Sequence, residues 1–266
     1  MAPIASSGER FLCCWSAAAC HSDYLQVKRV SFKPPGTEAT ILNNVSFSLP
    51  EKRLGLITGR SGSGKTTLLQ ILAGLASPTQ GSIVLGGTKG DTTVSLTAKV
   101  GLVFQFPERL YVFSKPTNEI DNLIDPRRYF LTDSILEELS FGWPSKKEDF
   151  FSRQLLAMRV QAAVAATGLA SISWNTNPRA LSDGFKRRLA LAVQLVRMPE
   201  LLLLDEPLAG LDWQSRSEIA KLLNNLKKER TLLVVSHDLR ELIRLVDKAW
   251  VMDMGGTLVE QLNSTL

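Results

Sequence analysis

Long apolar runs are missing from this 266-residue chain. A membrane-crossing helix needs roughly 18 to 20 uncharged apolar residues, and the longest candidate, Phe11 to Cys20, offers about half that. If the chain serves a membrane process, another chain must cross the bilayer. Cysteine is scarce: Cys13, Cys14 and Cys20 are the only three, and none follows residue 20. That argues against a disulfide framework and for a reducing compartment. Cys13, Cys14, Cys20 and His21 make a poor metal set, because adjacent cysteines do not fit structural zinc spacing. Dense Lys/Arg blocks are absent and the net charge is only +5, so nothing calls for nucleic acid as a partner. Eighteen glycines and twelve prolines are near average, which removes collagen-like and low-complexity classes.

The remainder is ordinary globular composition, 44% hydrophobic and 21% charged, enough for one large core with or without a subdomain. Residues 1–22 stand apart, rich in Ala, Ser and Cys, with Glu9 the one acid and Arg10 the one base. The positive stretch that opens a secretory signal is missing. Two readings fit: an organelle transit peptide and a disordered tail.

Tyr24 to Phe32 alternates apolar and polar residues as a strand does, and Pro34, Pro35 and Gly36 break it. Ile41 to Leu49 reads as a second strand and Leu54 to Thr58 as a short apolar third. Over 66–75 the spacing predicts a helix with Leu68, Ile71, Leu72 and Leu75 on one face. Val100 to Phe104 is a buried-type strand ending at Gln105. From Pro107 to about Leu181 the chain is loop-rich and then helical around Ala162 to Ala166. Leu201 to Leu204 and Leu232 to Val235 are apolar runs of the kind found in parallel strands covered on both faces. Helical segments at about 185–197 and 214–228 precede them, and the alternation predicts an α/β sheet.

Residues 59–67 read Gly-Arg-Ser-Gly-Ser-Gly-Lys-Thr-Thr, the pattern G-x-x-x-x-G-K-T between a strand and an amphipathic helix. A tight turn of small residues lets backbone N–H groups point at phosphate oxygens, and the helix adds its positive end. Gly59, Arg60, Ser61, Gly62, Ser63, Gly64, Lys65, Thr66 and Thr67 are therefore predicted to cradle a nucleotide's phosphates. Lys65 would bring a full charge to the β- and γ-phosphates, and the Thr66 hydroxyl would ligate magnesium. A second apolar strand ends in Asp205-Glu206-Pro207. Asp205 is placed to hold Mg²⁺, and Glu206 to orient or deprotonate a water attacking the γ-phosphate. Open α/β sheets bind ligands at this carboxyl edge.

Between the motifs lies Leu181-Ser182-Asp183-Gly184-Phe185-Lys186-Arg187-Arg188. It resembles the Leu-Ser-Gly-Gly-Gln signature of ATP-binding cassette (ABC) ATPases. Gln105 resembles their Q-loop, Ala209-Gly210-Leu211-Asp212 their D-loop, and Ser236-His237-Asp238 their switch histidine. The resemblance runs from about Tyr24 to Val259. Phe104-Gln105-Phe106-Pro107-Glu108 and Phe141-Gly142-Trp143-Pro144 are similar to energy-coupling-factor and cobalt-type ATPases, and to plant chloroplast ABC I-family ATPases.

This resemblance implies a P-loop NTPase (RecA-like) core over residues 23–260, with an antiparallel β subdomain and a helical signature subdomain at about 129–190. It implies ATP and Mg²⁺ as ligands, hydrolysis by Glu206 and His237, and Gln105 sensing magnesium and water. Ser182, Asp183 and Gly184 would serve ATP on a second ABC subunit, in a homo- or heterodimer. A separate membrane-spanning subunit would dock near the Gln105 loop, so that hydrolysis powers transport. The chloroplast likeness favours plastid targeting by residues 1–22 and a place peripheral to a membrane, its cytoplasmic face if not in plastids. The alternatives are a soluble ABC ATPase without transport and a non-hydrolysing scaffold.

Departures from the family pattern carry their own expectations. Asp183 replaces a signature glycine and Phe185 the glutamine. The Asp183 carboxylate either repels a γ-phosphate by a few kcal/mol or opens its helix favourably and points outward. The adenine-stacking aromatic is missing, with Pro34 or Pro35 in its place and Phe32 aimed at the core. Residues 110–128 look like an insertion. Lys227-Lys228-Glu229-Arg230 reads as a solvated helix end, and Lys186-Arg187-Arg188 as surface charge.

Overall fold

The computed structural model describes residues 23–86, 99–105, 130–141 and 150–261. The expected targeting segment 1–22, the insertion 110–128, and residues 106–108 and 142–144 lie outside that set. Strands β1 (Asp23–Phe32), β2 (Leu42–Pro50) and β4 (Gln80–Leu85) pair antiparallel in the order β2-β1-β4. A second sheet has the order β5-β6-β7-β3-β8-β9. Its strands β3 (Leu54–Gly59), β5 (Val100–Val103), β6 (Leu201–Asp205), β7 (Thr231–Val235) and β8 (Lys248–Met252) run parallel, and β9 (Leu258–Gln261) closes the edge antiparallel.

The central strands lack polar alternation because both faces of the sheet are covered. Side chains alternate between two cores instead. Leu202, Leu204, Leu232 and Val234 point into one, shared with helices α2 (Ile135–Ser140), α3 (Phe150–Thr167), α4 (Asp183–Val196) and α5 (Trp213–Lys227). Leu201, Leu203, Leu233 and Val235 point into the other, against helix α1 (Lys65–Leu72) and the antiparallel sheet. Trp250 anchors this second core, 2% exposed, with its ring centroid 5.0 Å from that of Phe47.

Two sequence expectations are corrected here. Helix α1 ends at Leu72 rather than reaching Leu75, because Gly74 turns left-handed (φ +75°) and breaks the spiral. Leu75 is therefore on the surface, 38% exposed. The 227–230 run is only half solvated: Lys228 and Glu229 are exposed, but Lys227 pairs with Asp247 at 2.8 Å and Arg230 donates to the Pro199 carbonyl at 2.5 Å.

The strand order places β6, β7 and β3 side by side and parallel. Their carboxyl ends therefore deliver the 59–67 loop, Asp205-Glu206 and Ser236-His237 to one edge. Among the described residues, no helix is long and apolar enough to cross a membrane.

Candidate functional site

A cavity of about 710 Å³ opens at that edge, within the usual range for small-molecule sites. Gly59, Arg60, Ser61, Gly62, Gly64, Lys65, Thr66, Thr67, Gln105, Asp205, Glu206 and His237 line it. Four chain segments with no sequence proximity, 59–67, 105, 205–206 and 237, thus converge. Ser63 is the exception within the loop: it is buried, with Oγ 3.4 Å from Lys65 Nζ. Gly59 has a backbone reason for its identity. Its φ is +149°, and a Cβ there would lie 2.3 Å from the Met252 carbonyl oxygen.

Lys65 Nζ donates to the Gly59 carbonyl at 2.8 Å and the Arg60 carbonyl at 2.7 Å. Burial lowers its pKa from the ordinary lysine value, and the negative charges of Glu206 and Asp205 partly offset this. An incoming anion would favour the charged form further.

Thr66 Oγ1 donates to Asp205 Oδ2 at 2.8 Å, joining two of the three predicted magnesium residues; Gln105, the third, lines the same cavity. Burial raises the Asp205 pKa, and the neighbouring Glu206 charge pushes the same way; the Thr66 hydrogen bond and the Lys65 and Arg187 charges oppose. A desolvated carboxylate beside a hydroxyl is a hard-oxygen set that suits Mg²⁺. Among the described residues no group of three or more His, Cys, Asp and Glu forms a complete cage.

Glu206 is 8% exposed and sits at φ +47°, a conformation that costs a non-glycine residue on the order of 1–3 kcal/mol. Its surroundings hold it there. Its N–H donates to the Val235 carbonyl at 2.8 Å, Ser236 Oγ donates to Oε2 at 3.0 Å, and the His237 N–H donates to Oε1 at 3.1 Å. His237 Nδ1 lies 2.7 Å from the same Oε1, while the His237 side chain is 69% exposed. A histidine serving only the core would be buried, and this one is not.

The signature residues lie elsewhere. Ser182, Asp183 and Gly184 do not line the cavity. Ser182 caps α4, its Oγ accepting from the Phe185 N–H at 3.5 Å. Asp183 sits in the first helical turn with its side chain 73% exposed and 3.5 Å from Lys186 Nζ. It therefore complements the helix dipole and points outward. Gly184 packs so closely on α5 that a Cβ would meet Ser215 Oγ at 2.9 Å. Phe185 packs against the core, with the Arg188 guanidinium 5.8 Å over its ring.

The surface-charge reading of Arg187 is overturned. It is 3% exposed and donates to the carbonyls of Phe104 at 3.0 Å, Gln105 at 2.6 Å and Ala209 at 3.2 Å. Arginine in a charged run looks solvated, but its third place after Gly184 returns it to the buried face of the helix. Sequence reasoning also missed Thr40, Ile41 and Met254 on the cavity wall. Pro34 and Pro35 do not reach it, and Phe32 packs on the core as alternation predicts. No motif marks Thr40, Ile41 or Met254; they arrive through tertiary placement.

Residues 42–209 match the ABC transporter family. The chain is 51% identical over 249 residues to ABC transporter I family member 11, chloroplastic, of Arabidopsis thaliana, covering 91% of this chain and 83% of that one. It is 36% identical to the energy-coupling factor transporter ATP-binding protein EcfA2 of Clostridium acetobutylicum, covering 82% and 72%. The solved structure of cbiO1 from Clostridium perfringens, part of the ABC transporter complex cbiONQ, superposes with a TM-score of 0.74 at 28% identity, covering 91% of this chain and 88% of that one. With residues 59–67, Asp205-Glu206 and His237 gathered at one cavity, this chain belongs to the ABC transporter family, as an ATP-binding ATPase subunit.

Proposed function

We propose that this ABC ATPase binds ATP with its phosphates against residues 59–67 and hydrolyses it with Glu206 and His237, so powering a membrane transporter. The observation that carries this reading is the meeting of the Thr66–Asp205 pair and the Glu206–His237 pair on one cavity wall. Lys65 and the loop N–H groups neutralise and orient the phosphates. Thr66, Asp205 and Gln105 would hold Mg²⁺, which supplies charge neutralisation when bound. Glu206 positions the attacking water and takes its proton, and its contacts with Ser236 and His237 keep the carboxylate aimed.

Ser182, Asp183 and Gly184 serve the nucleotide of a second ABC subunit. The exposure of Ser182 and Asp183, with none of the three lining this chain's cavity, supports that role. The membrane-spanning subunit docks near the Gln105 loop and the helical subdomain. There α3 exposes Phe151, Leu155 and Met158, spaced to lie on one helical face, and α2 exposes Leu136. The chloroplastic relative supports a plastid location, peripheral to a membrane.

ATP turnover of the Glu206→Gln variant tests the assignment. The reading predicts a loss of at least about 100-fold, on the scale of removing a positioned base, with ATP affinity retained. Equal turnover would remove Glu206 from the chemistry.

A further inference from the structure

Three segments carry the site's hydrolytic groups: Gln105 after β5, Glu206 and the turn 208–212 after β6, and Ser236-His237-Asp238 after β7. Two arginines from outside the cavity lining join them. Arg187 on α4 gives Nη1 to the Phe104 and Gln105 carbonyls and Nη2 to the Ala209 carbonyl. Arg216 on α5 gives Nε to the Leu211 carbonyl at 2.9 Å, and its Nη1 pairs with the Asp238 carboxylate. The Asp238 N–H in turn donates to Ser236 Oγ at 3.2 Å, and Ser236 Oγ holds Glu206.

The turn is thus gripped at Ala209 from one side and at Leu211 from the other. Its apex, Gly210 (φ +75°), is exposed, and nothing lies within 4 Å of where a Cβ would stand. A planar guanidinium suits this work, because its fixed fork reaches several acceptors at once and lysine cannot copy it.

We propose that Arg187 and Arg216 are positioning residues for hydrolysis, bracketing the 208–212 turn so that its place sets both Gln105 and the Glu206–His237 pair. Resting on the hydrolytic reading above, the hydrogen bonds of both arginines to the Phe104, Gln105, Ala209 and Leu211 carbonyls are expected to matter more for turnover than for nucleotide binding. The turn acts as a shared fulcrum: a shift at Gly210 moves the groups on both flanks of the water's approach.

The experiment compares Arg187→Gln, Arg216→Gln and the double variant with the parent chain. It measures kcat for ATP and, separately, the equilibrium Kd for a fluorescent ATP analogue. Arg188→Gln is the control, since Arg188 sits on the same helix but is tied to Glu218 and the Thr167 carbonyl, away from the turn. The expected result is a kcat loss of at least tenfold for each single variant with Kd within about threefold, and Arg188→Gln within about twofold on both. The double variant should lose little more than the worse single, because both act through one turn. If Arg187→Gln does not fold, Arg216→Gln decides alone, its side chain being 26% exposed. Parental kcat in a folded Arg216→Gln, Kd rising in step with kcat loss, or fully multiplicative losses in the double would each overturn the proposal. Lys65→Ala, which should lose Kd, separates these outcomes from a failure of the nucleotide site itself.

Discussion

The sheet edge and the signature turn of this chain are built differently. At the sheet edge, Lys65, Asp205 and Glu206 are all at most 9% exposed; Asp205 and Glu206 are held by hydrogen bonds from other segments, and Lys65 by carbonyls of its own loop. At the signature, Ser182 and Asp183 are exposed, and their bonds stay within their own helix turn. Burial and long-range bonding pre-organise charges before substrate arrives, and that is where most of the electrostatic stabilisation of phosphoryl transfer comes from. An exposed helix start whose cap lies in its own first turn is a finished local structure at the positive end of the helix dipole. The contrast teaches that the sheet-edge groups are positioned within the chain, while the signature turn keeps the open surface that the proposed second subunit would need.

Substitutions can break this contrast at either end, and the largest effect belongs to the buried one. Asp205→Asn keeps the Thr66 contact but removes the charge. Turnover at saturating ATP should fall by about 100-fold or more, measured by phosphate release across a magnesium titration. A loss under tenfold would mean that Asp205 is structural.

Acidity offers a second probe of the same carboxyl. Burial raises its folded pKa above the unfolded value, so the ionised form costs stability above that folded pKa. The cost is relieved as pH falls through it. Mg²⁺ must displace the proton, so the magnesium needed for half-maximal turnover should rise earlier on acidification than an ordinary carboxylate would require. A half-point flat from neutral pH down to the ordinary carboxylate range would contradict the raised Asp205.

At the exposed end the expectations are smaller. Gly184→Ala places a methyl against Ser215 Oγ and should cost about 1–3 kcal/mol in chemical denaturation. Asp183→Gly should change turnover by less than about twofold and stability by a few tenths of a kcal/mol to about 1 kcal/mol, since the carboxylate faces solvent and the helix dipole. A tenfold rise in turnover would show that this carboxylate repels a phosphate after all.

Much of the sheet-edge half was legible in the sequence, because short local rules govern it. The 59–67 pattern needs a turn and a helix start in sequence. The leucine run before Asp205 can be read as a strand without knowing its neighbours. What escaped depends on neighbours. Arg187 sits in a charged run and looks solvated until the 3.6-residue period is combined with the position of two distant carbonyls. Ile41 and Met254 reach the cavity only because β2 and the loop after β8 flank the 59–67 loop. The length of α1 was overestimated because Leu75 keeps the helical spacing while Gly74 ends the helix.

The most direct test is equilibrium ATP binding to Lys65→Ala beside the parent chain. If the buried Lys65 charge serves a nucleotide's phosphates as proposed, affinity falls at least tenfold; nucleotide held as tightly by both chains would contradict the account at its base.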